Sequence, residues 1–188
     1  ITPNNNNIVI FVSNLSQLKN IDFLPNLNNY IKDKKFLIKL NSNKYVLISN
    51  IQIKKKITNI FIVLLKFKPN NSIEIGSVLN KKFNQLKENK CIFIFSKILL
   101  NNKKIVSDLI FGFSLHSYTF NKYIKSQSNK RFKLFLYILK EFKDLKYNLN
   151  LLKSINFTKD LISEPANIIN PITYSERCIE LKKIGLKV

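Results

Sequence analysis

Through much of the first half of the chain the apolar positions fall in short unbroken runs, and later they recur mostly every three or four residues. Residues 1–6, ITPNNN, form a polar entry, and NIVIFVSN at 7–14, β-branched and aromatic, predicts a first strand. FLIKL at 36–40 and KYVLIS at 44–49 flank the polar connector NSN, which predicts an antiparallel hairpin. NIFIVLLKF at 59–67 is apolar at consecutive positions, the pattern of a strand covered on both faces. From Ser72 the period changes: Ile75, Val78, Leu79, Phe83 and Leu86 lie at helical spacing, with a glutamate in the first turn. CIFIFS at 91–96 is strand-like again.

A helical stripe then runs over 104–124 through Ile105, Leu109, Gly112, Phe113, His116, Phe120 and Tyr123. RFKLFLYIL at 131–139 alternates and is rich in aromatics, which predicts a strand, although its spacing also fits a short helix. Leu145, Leu149, Leu152 and Ile155 open a helix that reaches Leu161 and Ile162. It must stop before Pro165, because a residue preceding proline is pushed out of helical geometry. Asn170 stands at an N-cap and Pro171 at the first helical position of a further helix, whose face would be Tyr174, Cys178 and Leu181 and whose end is Gly185. LKV at 186–188 reads as the opening of another strand, so the last α/β unit reads as incomplete. No internal repeat is visible. The fold class is α/β, a mixed sheet flanked by helices. The expected organisation is one domain over 1–144, a linker helix over 145–164, and the truncated start of a second α/β domain over 165–188.

Composition sets outer bounds. With 45% hydrophobic and 12% aromatic residues the chain has enough apolar surface to bury a core. Its longest apolar run, IFIVLL at 60–65, is far short of the roughly 20 residues that span a bilayer, so no membrane partner is expected. Cys91 and Cys178 are isolated, outside any CxxC or histidine-bearing cluster, which points to a reducing, cytoplasmic setting and to buried small hydrophobes. The formal charge of +21 invites a nucleic-acid reading, with Lys54, Lys55, Lys56, Lys130, Arg131 and Lys133 as the local basic clusters. The lysines are nevertheless spread along the whole chain and accompany an excess of Asn, Ile and Phe. That distribution favours compositional drift over a selected polyanion surface.

Candidate chemistry is sparse. His116, the single histidine, has Ser114, Ser117 and Asp108 nearby, but on a helix Ser117 points about 100° away, so a partly buried helical histidine is the expectation rather than a triad. Asp160 and Glu164, four apart, share a helix face as paired acid-base carboxylates do. The adjoining Lys159 and Pro165 favour solvated residues at a fraying helix end. No GxGxxG, GxxxxGKS/T, GxSxG or HExxH motif occurs, and three glycines leave little from which to build a phosphate loop.

Two segments carry more. FGFSLHSYTFNKYIKS at 111–126 resembles the EG-x-x-L-G-S-Y-x-F-x-x-Y-K helix of the N-terminal domain in the cytosol (leucyl) aminopeptidase family, with Gly112, Leu115, Ser117, Tyr118, Phe120 and Tyr123 matching. TKDLISEPANIINP, which ends at Pro171, resembles the family's R-D-L-x-N-E-P-A-N-x-x-x-P segment at the start of the catalytic domain. There Asp160, Leu161, Glu164, Pro165, Ala166, Asn167 and Pro171 match. The chain departs from the family at Lys66 and Phe67, which replace glycines, at His116, also in a glycine's place, and at Ser163, where asparagine is usual. The resemblance implies a macro-domain-like N-terminal domain of a hexameric, cytoplasmic enzyme that uses two divalent metals, zinc or manganese, to release N-terminal residues from peptides. The family's metal ligands and catalytic groups lie in motifs of the G-K-G-x-x-F-D-T-G-G and N-T-D-A-E-G-R type, which do not occur here. No catalytic or metal-binding residue is therefore carried over, and a basic binding or assembly module of the same fold is the alternative.

Overall fold

The run Asn7–Val12 is buried at every position of an extended strand, which requires that both faces of the sheet be covered there. The computed structural model of the chain describes residues 7–20, 45–53, 56–65, 71–85, 90–123, 133–137 and 142–188. That run is β1, the middle of a five-stranded sheet. It is followed by β2 (Tyr45–Ile53), β3 (Lys56–Leu64), α1 (Ser72–Gln85), β4 (Lys90–Phe95), α2 (Lys97–Asn101), α3 (Lys103–Leu115), β5 (Lys133–Tyr137), α4 (Lys143–Ser163) and α5 (Pro171–Ile179), with short 3-10 segments at Leu15–Asn20 and Glu180–Ile184. The sheet order is β2-β3-β1-β4-β5, parallel throughout except for the antiparallel β2-β3 pair.

Register explains the core. Val9 lies between Phe61 and Phe93, and Phe11 between Val63 and Phe95, so one face of the sheet carries a continuous apolar row. Leu79 and Phe83 of α1 and Val106, Leu109, Ile110 and Phe113 of α3 pack onto that row. The rings interlock: Phe93 meets Phe113 at 4.8 Å and Phe11 at 4.9 Å edge-on, while Phe61 meets Phe83 at 4.3 Å. On the opposite face Ile8, Ile10, Val12, Ile60, Ile62 and Leu64 are equally buried.

The strand and helix expectations at 7–14, 59–67, 72–86, 91–96, 131–139 and 145–162 correspond to β1, β3, α1, β4, β5 and α4. Four details differ. Residues 36–44 lie outside the described residues, and the strand expected at 44–49 pairs antiparallel with β3, Ile53 opposite Lys56, across an irregularity between Ile48 and Ile51. The helix expected over 104–124 ends at Leu115, so Phe120 and Tyr123 sit in an irregular segment. Residues 186–188 form no strand; they follow Gly185, whose φ of 89° ends the preceding 3-10 turn. Tyr174, on the face expected to run through Cys178 and Leu181, is half exposed, and α5 buries no residue.

Cys91 is completely buried under α1 and α3, and desolvation pushes its thiol far above the ordinary range. Cys178 on α5 is only partly covered. Ellman's reagent on the native chain is therefore expected to titrate Cys178 promptly and Cys91 only after denaturation. Two prompt thiols would contradict the burial of β4.

Candidate functional site

The two segments singled out in the sequence are far apart along the chain, and the fold brings them together. After α3 the backbone turns at His116, the C-cap, and runs through 117–123 across the last turns of α4. The Tyr118 hydroxyl donates to Asp160 Oδ1 at 2.8 Å. Lys122 Nζ donates to Glu164 Oε1 at 2.5 Å, and the Tyr123 hydroxyl donates to Glu164 Oε2. Lys159 lies over the Tyr118 ring, 5.1 Å from its centroid, and its Nζ donates to the Leu115 carbonyl, which closes the base of this latch.

These contacts hold the end of α4. The helix exits at Glu164, whose extended backbone leads into Pro165, and a turn follows in which Ile168 and Ile169 N–H donate to the Pro165 carbonyl. Asn170 then caps α5, its Oδ1 accepting from Ile172 and Thr173 N–H, while Thr173 Oγ1 accepts from Asn170 N–H in return. The side chain of Glu164 keeps only 7% of its exposure, so the pair read as solvated in the sequence is in fact engaged. Its carboxyl lies below the ordinary 4.5, first through the Lys122 hydrogen bond and then through Tyr123. The Tyr123 phenol is raised, mainly by its bond to Glu164, and Lys122 is raised by the same carboxylate. Desolvation raises Tyr118 first and the bond to Asp160 adds to it.

The signs define a plateau. Glu164, lowered in the folded state, contributes above its ordinary 4.5 and loses that contribution as pH falls through the lower folded value. The tyrosines, raised in the folded state, contribute below their ordinary 10.0 and lose it as pH rises past that value. Protection of the amides over 160–169, taken at each pH as the ratio of intrinsic to observed exchange rate, is expected to be flat between these limits and to fall in a step on the acid side. Glu164→Gln should abolish that acid step, and an acid step that persists in the variant would place it elsewhere.

A cavity of about 400 Å³ lies beside the latch. Its apolar surface comes from Phe120, Phe157, Leu161 and Ile169, and its charged groups include Asp160, Glu164, Lys122 and Arg177.

The other candidate residues are placed as follows. Gly112 lies inside α3 against α1, and Leu115 ends α3. Ser117 Oγ donates to the Ser114 carbonyl in the turn that follows. Pro165, Ala166 and Asn167 are exposed in the turn after α4, and Pro171 opens α5. His116 is exposed instead of partly buried in a helix; its Nε2 is 3.0 Å from Ser77 Oγ of α1, and Asp108 instead faces Asn148, so no triad forms. Of the basic clusters, Lys56 begins β3 and Lys133 begins β5, with β1 and β4 between them, and Lys54, Lys55, Lys130 and Arg131 lie outside the described residues. The reading from sequence missed Lys122 and Arg177; Lys122 adjoins Tyr123 and Arg177 follows Pro171 by six residues, and local spacing cannot say which distant carboxylate either one meets. Among the described residues no group of three or more His, Cys, Asp or Glu side chains is arranged to hold a metal ion, and no helix is long and apolar enough to cross a membrane.

The class the fold defines is a mixed α/β sheet with a long helix leading away from it, and comparison with known proteins gives it a place. No protein-family model matches the chain. A probable cytosol aminopeptidase of Ehrlichia ruminantium (strain Welgevonden) is 28% identical over 131 residues, 65% of this chain and 25% of that protein. A tomato leucine aminopeptidase shares the fold with a TM-score of 0.63 at 14% identity, over 96% of this chain and 40% of its own, and a cytosol aminopeptidase from Coxiella burnetii does so at 0.57 and 16%, over 98% and 37%. The bottromycin maturation enzyme BotP, solved in complex with Mn, has a TM-score of 0.56 at 11% identity, over 95% of this chain and 36% of that chain. The chain thus spans about a quarter of the length of the curated relatives it matches. It resembles the cytosol (leucyl) aminopeptidase family in sequence and in fold, as its two motifs indicated.

Proposed function

We propose that this chain is the non-catalytic N-terminal portion of a metal-dependent leucyl aminopeptidase, a cytoplasmic, hexameric enzyme that releases N-terminal residues from peptides. In this reading residues 1–144 form a macro-domain-like domain, 145–164 a linker helix and 165–188 the start of the catalytic domain. The observation that carries it is the latch. Tyr118 and Tyr123 of one family motif bind Asp160 and Glu164 of the other, so the residues that match the family are also the residues that touch.

The described residues do not fit a two-metal centre, since they bring together no cluster of ligating side chains. Zinc or manganese would belong to residues outside those described, and no step is derived through it. What this chain's residues do is mechanical. The linker helix is anchored at its start by buried Leu145 and by Asn148, whose Nδ2 donates to Ser107 Oγ at 2.8 Å, and at its end by the latch. The direction in which the chain leaves at Pro165 is thereby fixed.

The purified 188-residue chain is expected to show no hydrolysis of leucine p-nitroanilide with added Mn²⁺ or Zn²⁺. A hybrid in which it replaces the matching segment of the Ehrlichia ruminantium relative should hydrolyse it. Metal-dependent turnover by the chain alone, or a folded hexameric hybrid that is inert, would overturn the proposal.

A further inference from the structure

The cavity beside the latch has a charge pattern that the latch does not use up. Lys122 and Glu164 satisfy each other across its wall. Asp160 gives Oδ1 to Tyr118, and among the described residues its Oδ2 accepts no hydrogen bond. Arg177, in the last turn of α5, has one loose ion pair among the described residues, with Glu180 at 4.0 Å, in which both side chains are about half exposed. A pair of that kind contributes little and leaves most of the guanidinium's donors available. The remaining surface is Phe120, Phe157, Leu161 and Ile169, all partly buried. The site therefore offers one unspent anionic oxygen and one cationic fork, whose charge also bears on Glu164 but whose donors are mostly free, over an apolar lining, at a volume within the range of small-molecule pockets.

We propose that this cavity binds a small zwitterion with an apolar body, a free apolar amino acid or dipeptide. The ligand's ammonium meets Asp160 Oδ2, its carboxylate meets the Arg177 guanidinium, and its side chain lies against Phe120 and Phe157. A simple anion would leave Asp160 facing it, and a simple cation would leave Arg177 facing it, so either alone carries a like-charge penalty that the zwitterion avoids. Because α4 supplies Asp160 and α5 supplies Arg177, the bound ligand also ties the two helices together across the turn at Pro165. This inference does not rest on the aminopeptidase reading, since binding is measured on this chain without a peptidase assay.

The test is isothermal titration of the 188-residue chain with L-leucine, L-leucyl-L-leucine, isoamylamine and 4-methylpentanoate. Saturable binding is expected for at least one of the two zwitterions, and the pair distinguishes an amino-acid site from a dipeptide site. Each one-charge analogue should bind about tenfold more weakly or worse, as should the zwitterion to Arg177→Gln or Asp160→Asn, because each change deletes one charge-assisted hydrogen bond. Both side chains are exposed, and thermal melts confirm that the variants fold; either variant suffices if the other does not. The proposal is overturned by absence of binding of both zwitterions at about 10 mM, well above a millimolar dissociation constant. It is equally overturned by analogues that bind as tightly, or by affinity unchanged in the folded variants.

Discussion

Replacing Gly112 by alanine is expected to destabilise the chain by about 3 kcal/mol, at the upper end of what overpacking costs. The opposite sign would follow from helix propensity alone, since alanine is favoured over glycine inside a helix by about 1 kcal/mol. Packing decides the matter. A Cβ on Gly112 of α3 would lie 2.0 Å from the Ile73 carbonyl oxygen and 2.8 Å from Ile73 Cα, and a Cβ on Gly76 of α1 would lie 2.2 Å from the Leu109 carbonyl oxygen and 2.7 Å from Phe113 N. Each glycine thus faces the backbone of the other helix, and backbone cannot rotate aside as a side chain can. The two helices would have to separate, which loosens Leu79, Phe83, Leu109 and Phe113 over the sheet. Urea denaturation of Gly112→Ala, Gly76→Ala and the double variant checks this. The double variant should lose less than the sum, because one separation of the helices relieves both clashes. A Gly112→Ala chain as stable as the parent would mean that α1 and α3 do not cross this closely.

The same contact explains why a glycine belongs at this point of the motif, something the sequence could mark but not interpret. Elements whose burial is symmetric were plain from residues alone: β1 and β3 are apolar at consecutive positions because both their faces are covered. The junction helix and its successor were plain for a different reason, since Pro165, Asn170, Pro171 and Gly185 are local signals that act within a turn. What escaped was non-local. The stripe from Ile105 continues at helical spacing through Phe120 and Tyr123, yet the helix stops at Leu115 because the segment beyond it is held by carboxylates about forty residues away. Periodicity registers that a side chain needs a partner and is blind to which partner it takes. The short helix α2 was missed although Ser96 and Asn102 cap α2 and α3, each accepting from the N–H three residues on, a signal present in the sequence. The strand at 44–49 is seen to pair with β3, a neighbour its sequence did not indicate, and the partner expected at 36–40 lies outside the described residues.

Phe93→Ala is expected to cost about 3–5 kcal/mol, the range for deleting a fully buried ring. Phe93 has no exposed surface and stands at the centre of the aromatic cluster, with Phe11 at 4.9 Å, Phe113 at 4.8 Å and Phe95 at 6.2 Å, all edge-on. Edge-on pairs add to area burial, so the loss exceeds that of an aliphatic side chain of equal area. The neighbours are poorly able to fill the space: Phe11 is fixed in the central strand, stacked on Phe95 at 4.7 Å, and Phe113 is held where α3 meets α1. With native stabilities commonly about 5–15 kcal/mol, such a loss removes a large share of the total and should appear as a large fall in the urea midpoint. Phe93→Leu separates the causes, because it keeps most of the volume and should cost less than about 1.5 kcal/mol beyond the lost ring contacts. Tyr147→Ala, at a position 68% exposed on α4, serves as the reference and should stay within about 0.5 kcal/mol of the parent. If Phe93→Ala fell in that same small range, the β4 register that points Phe93 at α3 would be wrong, and with it the sheet that positions the latch.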